Sequence, residues 1–148
     1  MNRDLSPRVT VLAVSPREQT RAQLRRIFAT TRWMLGESSS CLEAMVELRL
    51  RPLSVVLCED YLPDGSWKDL LDLFSGLPKA PLLVVTSRNA DEELWMEVLD
   101  GGGYDCLAQP FDPHEVTRVL GLAWREAMRQ ASRKGPGSAA ATLRAVTA

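Results

Sequence analysis

Two adjacent acids, Glu59 and Asp60, close the mainly apolar run Leu53-Ser54-Val55-Val56-Leu57-Cys58, and a Pro63-Asp64-Gly65 turn follows. Val55, Val56 and Leu57 read as a strand buried on both faces, as in a parallel sheet covered by helices. Acids at its carboxyl end would stand where open α/β sheets bind ligands and place their chemistry. Two other strand ends reach the same edge. Thr86 closes Pro81-Leu82-Leu83-Val84-Val85, and Gln109 follows Tyr104-Asp105-Cys106-Leu107-Ala108 and precedes Pro110-Phe111. Together they offer carboxylate oxygens, a hydroxyl and an amide. They are not a hydrolytic set: the one histidine, His114, lies outside this group, and neither a Ser-His-Asp arrangement nor a Cys-His pair is suggested.

These strand ends need a sheet to hold them, and the punctuation supplies one. Val9 to Val14 reads as the first strand. Ser15-Pro16-Arg17-Glu18 has the form of a capping box with proline at the first helical position, opening a helix that carries Leu24, Ile27 and Phe28. Trp33 to Gly36 is a short second strand. Ser40 to Glu43 is another box-like start, leading into a helix with Met45, Val46 and Leu48. Ser66 begins the next helix, with Leu70, Leu71, Leu73 and Phe74 directed inward.

After the strand ending at Thr86, Asn89 is the expected cap of a fourth helix, with Leu94, Val98 and Leu99 as its apolar stripe. Gly101-Gly102-Gly103 follows a helix instead of opening one, so it reads as a C-cap and turn rather than a phosphate loop. Asp112 caps a last helix bearing Val116, Leu120 and Ala123, whose pattern fades beyond Arg129. Five alternations of strand and helix imply an α/β fold with a parallel sheet and right-handed crossovers.

A chain of 148 residues, 45% hydrophobic and 25% charged, has the size and composition of one soluble domain. No apolar run approaches membrane-spanning length, and the first residues carry no secretory-type apolar core. Three cysteines, Cys41, Cys58 and Cys106, lack metal-like spacing and fit reduced thiols in a cytoplasmic protein. No metal site is expected. The net charge of −1 hides an asymmetry: residues 1–32 hold seven Arg/Lys against two acids, and residues 118–148 hold six against one. Such a flank is read first as a solvated face, and only second as a surface for nucleic acid or anionic lipid.

The pattern around Glu59, Thr86 and Gln109 resembles the receiver domain of two-component response regulators, over roughly residues 8–128. The resemblance implies a doubly wound five-stranded parallel sheet, a (βα)5 flavodoxin-like receiver fold, with strand order 2-1-3-4-5. Residues 1–7 would be an N-terminal extension, 8–130 the receiver-like domain, and 131–148 a flexible tail with room for a short helix.

The departures from that family lie at its phosphorylation site. Its first strand ends in an acidic pair that holds Mg²⁺; the matching positions here are Ser15 and Pro16. Its phosphoryl-accepting aspartate stands four residues before a proline; here that residue is Glu59, before Pro63. Its fifth-strand lysine is replaced by Gln109, and only the hydroxyl position, Thr86, is kept. A hydroxyl and an imino acid are poor ligands for a hard cation, so Mg²⁺ and other cofactors are not expected. The longer arm of Glu59 also displaces the oxygen that would attack phosphorus. Asp60 is a rival acceptor, but it stands one residue nearer Pro63, and strand alternation points it away from Glu59.

The resemblance therefore implies a degenerate receiver, not an enzyme. It would act by binding a histidine kinase, another receiver, an output protein or a second copy of itself. In such a domain Glu59 could stand in permanently for a charged acceptor, with Thr86 and Gln109 donating to it. Receivers meet partners through the fourth helix, fifth strand and fifth helix, which points to Trp95. The family's switching aromatic corresponds to Cys106, small and expected to be buried, while Trp67 is expected to cover the pocket edge. The alternatives are a conventional receiver phosphorylated at Glu59 or Asp60 with Mg²⁺, and a nucleic-acid or small-ligand binder. The latter would use the basic helices or the vacated pocket.

Overall fold

The computed structural model describes residues 9–133. The expectations for residues 1–7 and for the tail beyond Arg133 lie outside the described residues. The elements run β1 (Thr10–Val14), α1 (Glu18–Ala29), β2 (Met34–Ser38), α2 (Cys41–Leu50), β3 (Val55–Glu59), β4 (Tyr61–Leu62), β5 (Gly65–Ser66), α3 (Trp67–Phe74), β6 (Leu82–Ser87), α4 (Glu92–Asp100), β7 (Asp105–Ala108) and α5 (Pro113–Arg133). Five of the strands form one parallel sheet in the order β2-β1-β3-β6-β7, the order expected for a (βα)5 receiver-like fold. The fourth and fifth strands of that sheet are thus β6 and β7; β4 and β5 are a small separate hairpin.

Alternation along the central strands sorts the core into two layers. Val11, Ala13, Val55, Leu57 and Val84 face α1 and α5, where they meet Leu24, Ile27, Val116 and Leu120. Leu12, Val14, Val56, Cys58 and Val85 face the other way, against Ala44, Leu48, Leu70, Phe74 and Val98. All five residues of β3 are buried, as befits a strand with neighbours on both edges and helices on both faces. The parity that sends Val55 and Leu57 toward α1 sends Glu59 the same way. Its register partner on β6 is Thr86. One strand frame therefore aims an acid at a helix.

Several local expectations change. Ser15 does not cap α1, because the helix starts later, at Glu18, with Arg17 as an N-cap that has no side-chain bond; the Ser15 hydroxyl donates to Glu59 and accepts from the Arg17 N–H at 3.1 Å. The second strand starts at Met34, since Trp33 is drawn into an edge-to-face contact with Phe28 at 5.9 Å. Ser40 does cap α2, but the Glu43 carboxylate reaches Ser39. Asp91, not Asn89, caps α4 by accepting from the Leu94 N–H at 2.8 Å.

Leu73 and Leu99, expected inward, are exposed, because Leu70 and Val98 already fill the facing positions. Trp67 does not edge a pocket. It is 4% exposed, lying in the α2–α3–α4 layer against Gly101. The glycine triplet ends α4 as expected, with Gly102 at φ +103°. The β4–β5 hairpin turns Asp64 back onto α2, where its carboxylate accepts from the Cys41 N–H at 2.8 Å and the Leu42 N–H at 3.0 Å. An acid from a distant loop thus completes the N-terminus of α2 and pins the loop after β3.

Candidate functional site

The carboxyl edge gathers Ser15, Glu59, Thr86 and Gln109, as the strand ends require. Glu59 lies at 2% exposure, so its carboxylate must find partners inside the protein. Its Oε1 accepts from Ser15 Oγ at 2.8 Å and from Thr20 Oγ1 at 2.8 Å, and its Oε2 faces Arg17 Nε at 3.5 Å. Thr20 Oγ1 also lies 3.4 Å from Gln109 Oε1, but a hydroxyl has one proton, and the shorter contact to the carboxylate takes it. Gln109 Nε2 donates to Thr86 Oγ1 at 3.2 Å, and Thr86 in turn donates to the Leu107 carbonyl at 2.9 Å.

This wiring corrects one expectation and adds two residues. Thr86 does not donate to Glu59, because its single proton goes to Leu107; Gln109 serves Thr86 and not the carboxylate. The donors to Glu59 come from the other side, from Ser15 and from Thr20 in the first turn of α1. Neither Thr20 nor Arg17 stood out in the sequence. A signal existed for Thr20: it lies one turn before Leu24 on the buried face of α1, a polar residue on an apolar stripe. Arg17 had none beyond following Pro16. Pro16 itself is exposed and brings no donor atom.

Asp60 points to the opposite face, as alternation demands. Ser87 Oγ donates to its Oδ2 at 2.8 Å, and the Tyr61 N–H to its Oδ1 at 3.1 Å. The two acids do not converge. With Ser15 and Pro16 in place of carboxylates, and both Glu59 oxygens engaged, the donor set does not fit the oxygen-rich shell that Mg²⁺ requires. Among the described residues no group of three or more His, Cys, Asp or Glu is placed to hold a metal.

On the face built by α4, β7 and α5, Trp95 is 44% exposed, and its indole Nε1 donates to Asp105 Oδ1 at 3.1 Å. Cys106 is half-buried beside it, not fully buried as expected, because β7 is the edge strand of the sheet. Burial and the nearby Asp105 push its thiol up to about 11, so it remains protonated at neutral pH. Arginines of the basic flank are partly committed within the molecule: Arg21 and Arg25 pair with Glu18 and Glu37, and Arg129 with Glu126. No helix among the described residues is long and apolar enough to cross a membrane.

No protein-family model matches the chain. The sensory transduction protein LytT of Enterococcus faecalis is 30% identical over 111 residues, covering 72% of this chain and 45% of that protein. The chain thus spans less than half the length of this curated relative. Among solved structures, it is similar to the signal receiver domain of an HD domain-containing protein from Pseudomonas fluorescens, with TM-score 0.78 and 19% identity over 89% of this chain and 98% of that one. It is also similar to the chemotaxis response regulator CheY4 of Vibrio cholerae, with TM-score 0.71 and 15% identity over 79% of this chain and 99% of that one. The order and register of the sheet, the edge where Glu59 meets Thr86, and these likenesses agree that the chain is folded as a response-regulator receiver domain.

Proposed function

We propose that this chain is a response-regulator-like signalling module that acts through protein–protein contacts and does so without being phosphorylated or binding Mg²⁺. One observation carries the reading: the carboxylate at the acceptor position is buried, its Oε1 taken by the chain's own Ser15 and Thr20 and its Oε2 facing Arg17. A phosphoryl acceptor needs a free oxygen and a cation to neutralise the transferred group. Here the nearest cation to the carboxylate, the Arg17 guanidinium, is paired with the carboxylate itself. Thr86 is held between Gln109 and the Leu107 carbonyl, so turning its hydroxyl elsewhere would break two hydrogen bonds of about 0.5–1.5 kcal/mol each. The domain is thereby kept in one arrangement, with Glu59 as a permanent internal ligand.

Its partners are a histidine kinase, another receiver, an output protein or a second copy, met through the α4–β7–α5 face around Trp95. It works in the cytoplasm as a binding module, not as an enzyme. Nucleic-acid binding is the weaker reading, since Arg21, Arg25 and Arg129 of the basic flank pair with neighbouring glutamates.

The test is a ¹H–¹⁵N NMR titration with Mg²⁺ followed by beryllofluoride, an acyl-phosphate mimic. No change at millimolar concentration around Glu59, Thr86 and Gln109 is the expected result. Saturable shifts there would favour a conventional receiver phosphorylated at Glu59, and saturable shifts centred on Asp60 and Ser87 would favour the rival acid.

A further inference from the structure

The face around Trp95 is more than an exposed tryptophan. Between α4, β7 and α5 lies a groove of about 220 Å³, lined by Trp95, Cys106, Ala108 and three acids, Asp91, Glu92 and Glu115. The indole is not free to swing, because Asp105 holds its Nε1. Cys106 occupies the strand position between Asp105 and Leu107, and a side chain this small leaves the groove open. Met96 at 52% exposure and Leu99 at 39% continue an apolar surface along α4. Every charged residue lining the groove is acidic, and Asp91 keeps only part of its capacity, its Oδ1 being used on the Leu94 N–H.

We propose that this groove receives an arginine or lysine side chain of a partner protein, presented beside an apolar residue that packs on Trp95 and Met96. The inference rests on the reading of the chain as a protein-binding module and names the chemistry of its partner. Carboxylates around a fixed indole suit a cation: the ring face attracts it and the acids neutralise it. The apolar margin supplies the desolvated contact that a tryptophan hot spot needs. A phosphate backbone is excluded by the same charges.

The test uses the full chain and two synthetic peptides, acetyl-Arg-Leu-Arg-Leu-amide and its counterpart with glutamate for arginine, titrated at 150 mM salt. The readout is the Trp95 indole resonance with the backbone amides of Ala90, Cys106 and Ala108. The arginine peptide is expected to shift these resonances saturably and the glutamate peptide to leave them unmoved. Joint replacement Glu92→Gln and Glu115→Gln should weaken binding roughly threefold to tenfold, the worth of two rim charges. Trp95→Ala should abolish the shifts at Cys106 and Ala108. Equal response to both peptides, no response to either, or a response unchanged in the double variant would each overturn the proposal. So would concentration-dependent shifts of the same resonances without peptide, which would assign the groove to a second copy. Failure here leaves the Mg²⁺ and beryllofluoride result at Glu59 untouched, so the two readings fall separately.

Discussion

Replacing Glu59 with alanine should destabilise the domain by about 2–4 kcal/mol. The magnitude follows from the contacts. Two hydroxyls, on Ser15 and Thr20, donate to one carboxylate oxygen at 2.8 Å each. Hydrogen bonds to a charged group are worth about 1.5–3 kcal/mol each. Arg17 adds at most about 1 kcal/mol, because its side chain is 42% exposed and the pair is screened by solvent. Against this stands relief from the cost of burying the carboxylate, of several kcal/mol, which cancels much of the gain. Thr20 can also fall back on Gln109 Oε1, whereas Ser15 keeps only the Arg17 N–H as a partner.

The net loss is a large share of the roughly 5–15 kcal/mol typical of a domain. Glu59→Gln keeps the shape and an acceptor oxygen, so it should cost about 1 kcal/mol. Urea unfolding followed by far-ultraviolet circular dichroism measures both, with unchanged slope. The sign is diagnostic. At a strand edge crowded with carboxylates, removing one relieves repulsion and raises stability. A Glu59→Ala protein as stable as the parent, or more stable, would refute the idea that Ser15, Thr20 and Arg17 hold this acid.

Thr20→Val preserves shape and deletes one donor; it should cost about 1–2 kcal/mol, and in a double-mutant cycle most of that loss should vanish when Glu59 is already alanine. Asp64→Ala removes the acid that completes α2 and should cost about 1 kcal/mol at neutral pH, read as a lower urea midpoint. Hydrogen bonding from the Cys41 N–H holds the Asp64 carboxyl below its ordinary range in the folded state. Its contribution is therefore present above the unfolded value and lost as pH falls through the folded one, so parent and variant should begin to converge only as pH drops below about 4. Gly103→Ala would bring a Cβ to 2.4 Å from Val98 Cγ1 and 3.0 Å from the Val98 carbonyl. Calorimetry should register about 1–3 kcal/mol of destabilisation.

What the sequence determined by itself was set by local rules. Apolar runs of strand length, helix starts at Ser40, Ser66 and Asp112, and the glycine stop after α4 fixed the alternation of elements. Parallel strands with right-handed crossovers then left few ways to arrange them. Side-chain parity along β3 separated Glu59 from Asp60 before any contact was known. That is why Glu59, Thr86 and Gln109 could be placed at strand ends from the sequence, while Ser15 joined them through the resemblance to receivers.

Which atom bonds which was decided by tertiary structure. Ser15 had a local role available, capping α1; in the fold its oxygen still accepts locally from the Arg17 N–H, but its proton goes to a carboxylate 44 positions away. A buried charge left without donors costs far more than an uncapped helix end in contact with water. The same asymmetry recruited Thr20 from an apolar stripe and turned Thr86 toward the Leu107 carbonyl. It also let Asp64, from another loop, serve the amides that open α2. Trp67, polar-edged and amphipathic in sequence, went to the core because three helices close over it. Local sequence carries the period and the caps, but the partner of a buried polar atom depends on segments brought together only when the sheet has formed.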